Sequence, residues 1–151
     1  MSTLPLVVLL AEDDPGHATL IQRNLKRAGI INKIVWTKNG QEALDYIHQE
    51  GLYNGHESGK SLVVLLDINM PVMDGVEVLR QLKVDERTKK IPVMMLTTTD
   101  NPREIEHCYA LGCSVYVTKP VEYEKFREAI QQLGLFLQLV ELPTQETTSS
   151  E

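Results

Sequence analysis

The chain has few cysteines, few aromatic residues and no long apolar run. Its two cysteines, Cys108 and Cys113, lack the spacing of a metal site or a redox motif, so we expect buried, reduced thiols. No stretch approaches the roughly 20 consecutive apolar residues of a membrane helix. The first apolar run also lacks a preceding basic residue and a cleavage site, which argues against a signal peptide. We therefore expect a cytoplasmic protein with no membrane segment.

Positive charge is scarce as well. The 15 Lys and Arg residues against 21 Asp and Glu residues give a net charge of −6. The longest basic cluster, within Arg87–Lys90, is short, whereas sequence-independent nucleic-acid binding requires clustered positive charge. We expect no nucleic-acid partner. The histidines are scattered along the chain, and we interpret all four as solvated surface residues: His17, His48, His56 and His107.

Apolar segments alternate with helical patterns five times along the chain. The predicted strands are Leu6–Ala11, Lys33–Trp36, Leu62–Asp67, Ile91–Thr97 and Val115–Thr118. A helical pattern follows each strand, the third from Asp74 to Asp85 and the fifth from Tyr123 to Val140. This alternation predicts an α/β fold, a flavodoxin-like, doubly wound parallel sheet of order 2-1-3-4-5. We expect a single domain over residues 1–142 and a disordered polar tail over residues 143–151.

Reactive side chains follow the predicted strands at the point where each strand ends. Glu12 and Asp13 follow strand one, and Asp67 closes strand three. Ligands of open α/β sheets bind beyond these carboxyl ends, and the predicted order makes strands one and three neighbours. Carboxylates this close repel one another and raise each other's pKa. A hard divalent cation such as Mg²⁺ relieves that repulsion.

The whole pattern resembles the receiver domain of two-component response regulators. The matching residues are the pair Glu12-Asp13, Asp67 within D-x-N-M-P-x-M-D-G, Thr97, and Tyr116 three positions before Lys119-Pro120. The resemblance covers about residues 6–140. The long segment before strand three and the ending LFLQLVELP resemble, in particular, the small single-domain regulators paired with cyanobacterial and bacterial phytochromes.

This resemblance implies a phosphoacceptor and a metal site. Asp67 would accept a phosphoryl group from a phosphohistidine on a sensor histidine kinase of the phytochrome type. Asp13, Asp67 and the backbone carbonyl of Asn69 would bind Mg²⁺ directly, and Glu12 would act through water. Such a protein is a signalling phosphoacceptor in a phosphorelay and not an enzyme in the ordinary sense.

The resemblance also assigns roles to residues after strands four and five. Lys119 would neutralise charge on the transferring phosphoryl group, and Thr97 would hydrogen-bond a phosphoryl oxygen once the group is attached. Tyr116 would be the switch residue, because its ring can rotate inward when Thr97 moves.

Other functions on this fold stay open. A scaffold uncoupled from any kinase would keep the same sheet. An aspartyl phosphohydrolase would need a second acid two residues after the nucleophile, where this chain has Asn69. A flavin-binding electron carrier would need a hydroxyl- and glycine-rich phosphate loop after strand one, where this chain has acids.

The second half of the predicted helix five is apolar on several faces. Leu135, Phe136 and Leu139 lie where a surface helix carries polar residues. Such residues indicate burial against another molecule. We expect a homodimer that uses this surface, with kinase docking as the alternative. Residues beyond Val140 are too few to form a DNA-binding unit, so we expect output through dimerisation or partner binding.

Overall fold

The computed structural model describes residues 6–27, 33–50, 61–98, 101–119, 123–125 and 127–129. Within them, strands alternate with helices: β1 (Leu6–Ala11), α1 (Pro15–Arg27), β2 (Lys33–Thr37), α2 (Gly40–Glu50), β3 (Ser61–Asp67), α3 (Gly75–Val84), β4 (Val93–Thr97), α4 (Pro102–Leu111) and β5 (Val115–Thr118). Residues 123–125 and 127–129 are helical too. The apolar surface predicted for the second half of helix five, Leu135, Phe136 and Leu139, lies outside the described residues.

Several boundaries predicted from sequence differ from these by one or two residues, and two of the differences have a clear physical cause. The sequence predicts strand four from Ile91, but the Ile91 amide donates to the Thr88 carbonyl at 3.0 Å and closes a turn. Pro92 has no amide hydrogen, so β4 begins only at Val93. Asp74 caps α3 instead of opening it, because its side chain accepts from the amide of Glu77.

All five strands are parallel and lie in the order β2-β1-β3-β4-β5, which confirms the predicted topology. In the register of the sheet, Ala11 lies beside Leu66, and Thr97 lies beside Thr118. The residues that follow β1, β3, β4 and β5 therefore meet at one edge of the sheet. No helix in the described part of the chain is both long and apolar enough to cross a membrane.

The core is divided into two layers by the sheet. Successive strand residues point to opposite faces, so Val7 and Leu9 pack in one layer while Val8 and Leu10 pack in the other. Helices α2, α3 and α4 cover the first layer, and α1 covers the second. Because both faces are covered, the strands are continuous apolar runs and not alternating ones.

Helix α4 buries less than the sequence predicts. Cys108 is fully buried, and both cysteines are free and buried, as expected. The spacing of Ile105, Cys108 and Tyr109 in the sequence predicts one apolar face for this helix, but Tyr109 is 48% exposed. Successive residues of an α-helix are about 100° apart around the axis, so a helix that buries Cys108 turns Tyr109 towards solvent.

The loop between β3 and α3 folds back tightly on the sheet edge. Val72 has φ of 70°, and the Met73 amide donates to the Pro71 carbonyl at 2.7 Å, which together define a γ-turn of the rare positive-φ kind. Gly75 then donates to the Ile68 carbonyl at 2.9 Å. Any side chain at Gly75 would collide with the carbonyl oxygen of Asp67, so this approach requires glycine.

We predict that Val72→Gly stabilises the protein. A β-branched residue is strained at positive φ, at a cost of about 1–3 kcal/mol, and glycine is not. Glycine also increases the conformational entropy of the unfolded chain, which offsets part of this gain. The free energy of unfolding, measured in urea titrations, should therefore rise by about 1 kcal/mol. Val84→Gly is the matched control, because Val84 is an exposed valine in α3 and its φ is not positive. The control should lose stability. Equal losses of stability in both variants would contradict the backbone strain assigned to Val72.

Candidate functional site

A buried ion-pair cluster lies at the carboxyl edge of the sheet. The Lys119 ammonium lies 2.7 Å from Glu12 Oε1 and 3.0 Å from Asp67 Oδ1. The three side chains are almost fully buried, with exposed fractions of 4%, 0% and 5%. Lys119 follows β5, which is two strands from β3 and three from β1, so its long side chain is needed to reach both acids. One cation is therefore shared by two carboxylates.

A third carboxylate completes the cluster. Glu12, Asp13 and Asp67 each offer one oxygen, and these oxygens all lie within 4.8 Å of one another. Asp13 is exposed, so the cluster opens to solvent on its side. With all groups ionised, three negative charges face one positive charge. The donor set consists of oxygens only, which is the set that a hard divalent cation prefers.

The electrostatics of Asp67 reflect this excess of negative charge. Burial, followed by repulsion from Glu12, raises the pKa of Asp67 to about 7, and the contact with Lys119 only partly opposes the rise. Burial works to lower the pKa of Lys119, but its hydrogen bonds with Glu12 and Asp67 outweigh burial and raise it. Lys119 is thus charged at neutral pH, whereas the pKa of Asp67 lies close to neutral pH.

Thr97 and Tyr116 form a second unit beside the cluster. Thr97 is fully buried at the end of β4, and its carbonyl accepts the backbone amide of Lys119 at 2.6 Å. The Tyr116 ring is half-buried against the core. Burial raises the pKa of Tyr116 to about 12, and a hydrogen bond with the Thr97 side chain opposes the rise. Thr97 thus touches Lys119 through its backbone and Tyr116 through its side chain. Asn69 is exposed in the loop after Asp67.

Two residues of the site were missed by sequence reasoning. The indole N–H of Trp36, the single tryptophan of the chain, donates to the carbonyl of Glu12 at 2.7 Å. His17, interpreted from the sequence as a solvated surface residue, has a side chain that is 41% exposed, but its Nδ1 also lies 3.3 Å from the Lys119 ammonium. Trp36 lies near the end of β2, and His17 lies in the first turn of α1, so both reach the same sheet edge. Trp36 ends the second predicted strand and His17 follows the first, and these positions in the sequence could have indicated that both residues lie at the site.

The fold and this cluster of acids, lysine and threonine define a class of phosphoryl-accepting signalling domain. Residues 8–131 match the response regulator receiver domain family, and the chain belongs to that family. It functions as a receiver domain in two-component signalling.

Individual relatives cover nearly the whole chain. Response regulator Rcp1 of Synechocystis is 34% identical over 143 residues, which are 94% of this chain and 96% of that protein. A response regulator receiver domain from Rhodospirillum rubrum is 43% identical, with a TM-score of 0.70, covering 93% of this chain and 99% of that one. The bacteriophytochrome response regulator RtBRR is 35% identical, with a TM-score of 0.75, covering 95% of this chain and 83% of that one.

We predict that the contribution of Asp67 to stability decreases as pH rises, which is the opposite of the usual behaviour of an ion-paired carboxylate. Its folded pKa of about 7 exceeds the ordinary value of 3.8, so the folded state binds more protons between these pH values. The free energy of unfolding therefore falls as pH rises through that window, and the loss is complete above it.

The variant Asp67→Asn lacks this titration. In urea titrations with a chelator present, it should be more stable than wild type at pH 8, by on the order of 1 kcal/mol, and the advantage should shrink at pH 5. Asp45→Asn is the control, because Asp45 is exposed on α2 and remote from the cluster. A difference between Asp67→Asn and wild type that does not change with pH would contradict the assigned charge state.

Proposed function

We propose that the Asp67 carboxylate accepts a phosphoryl group from a phosphohistidine of a sensor histidine kinase. The observation that carries the proposal is the position of Asp67. Its Oδ1 lies 3.0 Å from the Lys119 ammonium, and the carboxylates of Glu12 and Asp13 lie within 4.8 Å of its own. A carboxylate is a weak nucleophile, so it requires neutralised charge on the incoming group more than a base.

The chain's own residues account for the transfer. An Asp67 oxygen attacks phosphorus, the phosphorus–nitrogen bond to the kinase imidazole breaks, and the leaving nitrogen keeps the electron pair. Lys119 then donates to a phosphoryl oxygen in place of Asp67 Oδ1. The residues proposed to hold Mg²⁺ are Asp13, Asp67 and the carbonyl of Asn69, with Glu12 acting through water. Bound Mg²⁺ supplies charge neutralisation of the phosphoryl oxygens.

The contact between Thr97 and Tyr116 supports a mechanism for the output. The hydrogen bond to Tyr116 engages the same Thr97 side chain that the proposal assigns to a phosphoryl oxygen. When Thr97 turns to the phosphoryl group, Tyr116 loses this partner, and its half-buried ring repacks. A local charge change would in this way bias a two-state element on β5.

The partner is proposed from similarity. The likeness to the bacteriophytochrome response regulator RtBRR supports a phytochrome-type kinase as the donor. Such a kinase, and this receiver with it, would work in the cytoplasm. Homodimerisation through Leu135, Phe136 and Leu139 stays a prediction, as does the boundary of the domain at residue 142, because these residues lie outside the described part of the chain.

Phosphorylation with a small donor tests the assignment. Wild type, incubated with acetyl phosphate and Mg²⁺, should gain the mass of one phosphoryl group. Borohydride, which reduces an aspartyl phosphate to homoserine, should locate the group at residue 67. Asp67→Asn should gain none, because its amide is not a nucleophile towards phosphorus, whereas the exposed-site control Asp45→Asn should behave like wild type.

Equal incorporation in Asp67→Asn and wild type would refute the assignment. Failure of wild type to incorporate phosphate would favour a scaffold uncoupled from phosphotransfer. Rapid release of inorganic phosphate from donor, without protein-bound phosphate, would favour a phosphohydrolase.

A further inference from the structure

His17 lies at the solvent side of the buried ion-pair cluster. It occupies the first turn of α1, where its backbone amide donates to Asp14 Oδ1 at 3.1 Å. Its ring reaches back over the sheet edge, so that Nδ1 lies 3.3 Å from the Lys119 ammonium. The side chain is 41% exposed, whereas Lys119 is 4% exposed. His17 therefore separates the ammonium from solvent on that side.

The geometry decides which way the hydrogen bond runs. The nearest neighbour of Nδ1 is an ammonium nitrogen, which has only donors. The two nearby carboxylates, those of Glu12 and Asp14, are both 3.9 Å from Nδ1, beyond hydrogen-bond distance. In this contact Nδ1 thus accepts a hydrogen bond from the Lys119 ammonium, which requires the ring tautomer that carries its hydrogen on Nε2.

All three N–H groups of the Lys119 ammonium then have acceptors: Glu12, Asp67 and His17. The three acceptors differ in charge. Glu12 is the closest at 2.7 Å and Asp67 lies at 3.0 Å, so the two carboxylates pull the ammonium in different directions. A lysine side chain has four flexible carbon–carbon bonds, so this pull can move it. His17 supplies a third anchor and adds no negative charge that would compete with Asp67.

We propose that His17 is a positioning residue, which holds the Lys119 ammonium in place for phosphoryl transfer to Asp67. The role rests on the proposed function. During transfer, Lys119 exchanges Asp67 Oδ1 for a phosphoryl oxygen, and the anchors at Glu12 and His17 keep the ammonium within reach of it. Without the anchor at His17, the ammonium turns towards Glu12 and stabilises the transferring charge less.

Two amide variants separate the anchor from the bulk of the ring. In His17→Asn, the amide oxygen occupies the place of Nδ1, so the acceptor is retained. In His17→Gln, the amide is one bond longer and matches the place of Nε2, and in His17→Leu there is no acceptor. The measurement is the initial rate of phosphate incorporation from acetyl phosphate at saturating Mg²⁺, followed by intact mass.

The rate should fall about tenfold in His17→Leu and His17→Gln, and return to within about twofold of wild type in His17→Asn. Urea titrations and Mg²⁺ titrations run in parallel should give similar stability and metal affinity for all three variants. Rescue by Asn but not by Gln would support an acceptor at the Nδ1 position, because a loss of folding would not follow that order.

Equal rates in wild type and His17→Leu would overturn the positioning role, with phosphorylation of Asp67 left intact. A loss of rate that His17→Asn fails to restore would overturn it also. Absence of phosphate from wild type itself would overturn the proposed function and this inference with it.

Discussion

The site depends on one imbalance of charge. A single buried ammonium, that of Lys119, faces the carboxylates of Glu12 and Asp67 at hydrogen-bond distance, and Asp13 stands close by. Burial, together with repulsion from Glu12, raises the pKa of Asp67 by more than the contact with Lys119 lowers it. In the proposed function, this deficit of positive charge is what a divalent cation would balance, and the same cation would help to balance the charge of an added phosphoryl group.

The rest of the fold serves to hold these charges against their own repulsion. Buried ion pairs contribute little net stability, since desolvation offsets their attraction. The two apolar layers on either face of the sheet supply the stability that keeps the strand ends in register. The β3–α3 loop adds local constraint, because the glycine at position 75 lets the loop pack directly on the carbonyl of Asp67. The backbone of Val72 is strained because the loop turns sharply at this residue.

Sequence reasoning could reach the fold and the acids because both follow from simple patterns. Apolar runs that end on Glu12, Asp67 or Thr97 identify strand ends, and the parallel order brings those ends together. The contacts of His17 could not be predicted, because they depend on the rotation of α1 about its axis. The sharing of Lys119 between two acids depends likewise on side-chain conformation, which no spacing in the sequence encodes.

Magnesium affinity measured in two opposite charge variants tests the imbalance most directly. The titrations can be followed by fluorescence of Trp36, whose indole is hydrogen-bonded to the carbonyl of Glu12. Removing a negative charge, in Asp13→Asn, should weaken Mg²⁺ binding, on the order of tenfold. Removing the positive charge, in Lys119→Met, should tighten Mg²⁺ binding even though it destabilises the metal-free protein. Weaker binding in Lys119→Met, or unchanged binding in both variants, would contradict the account.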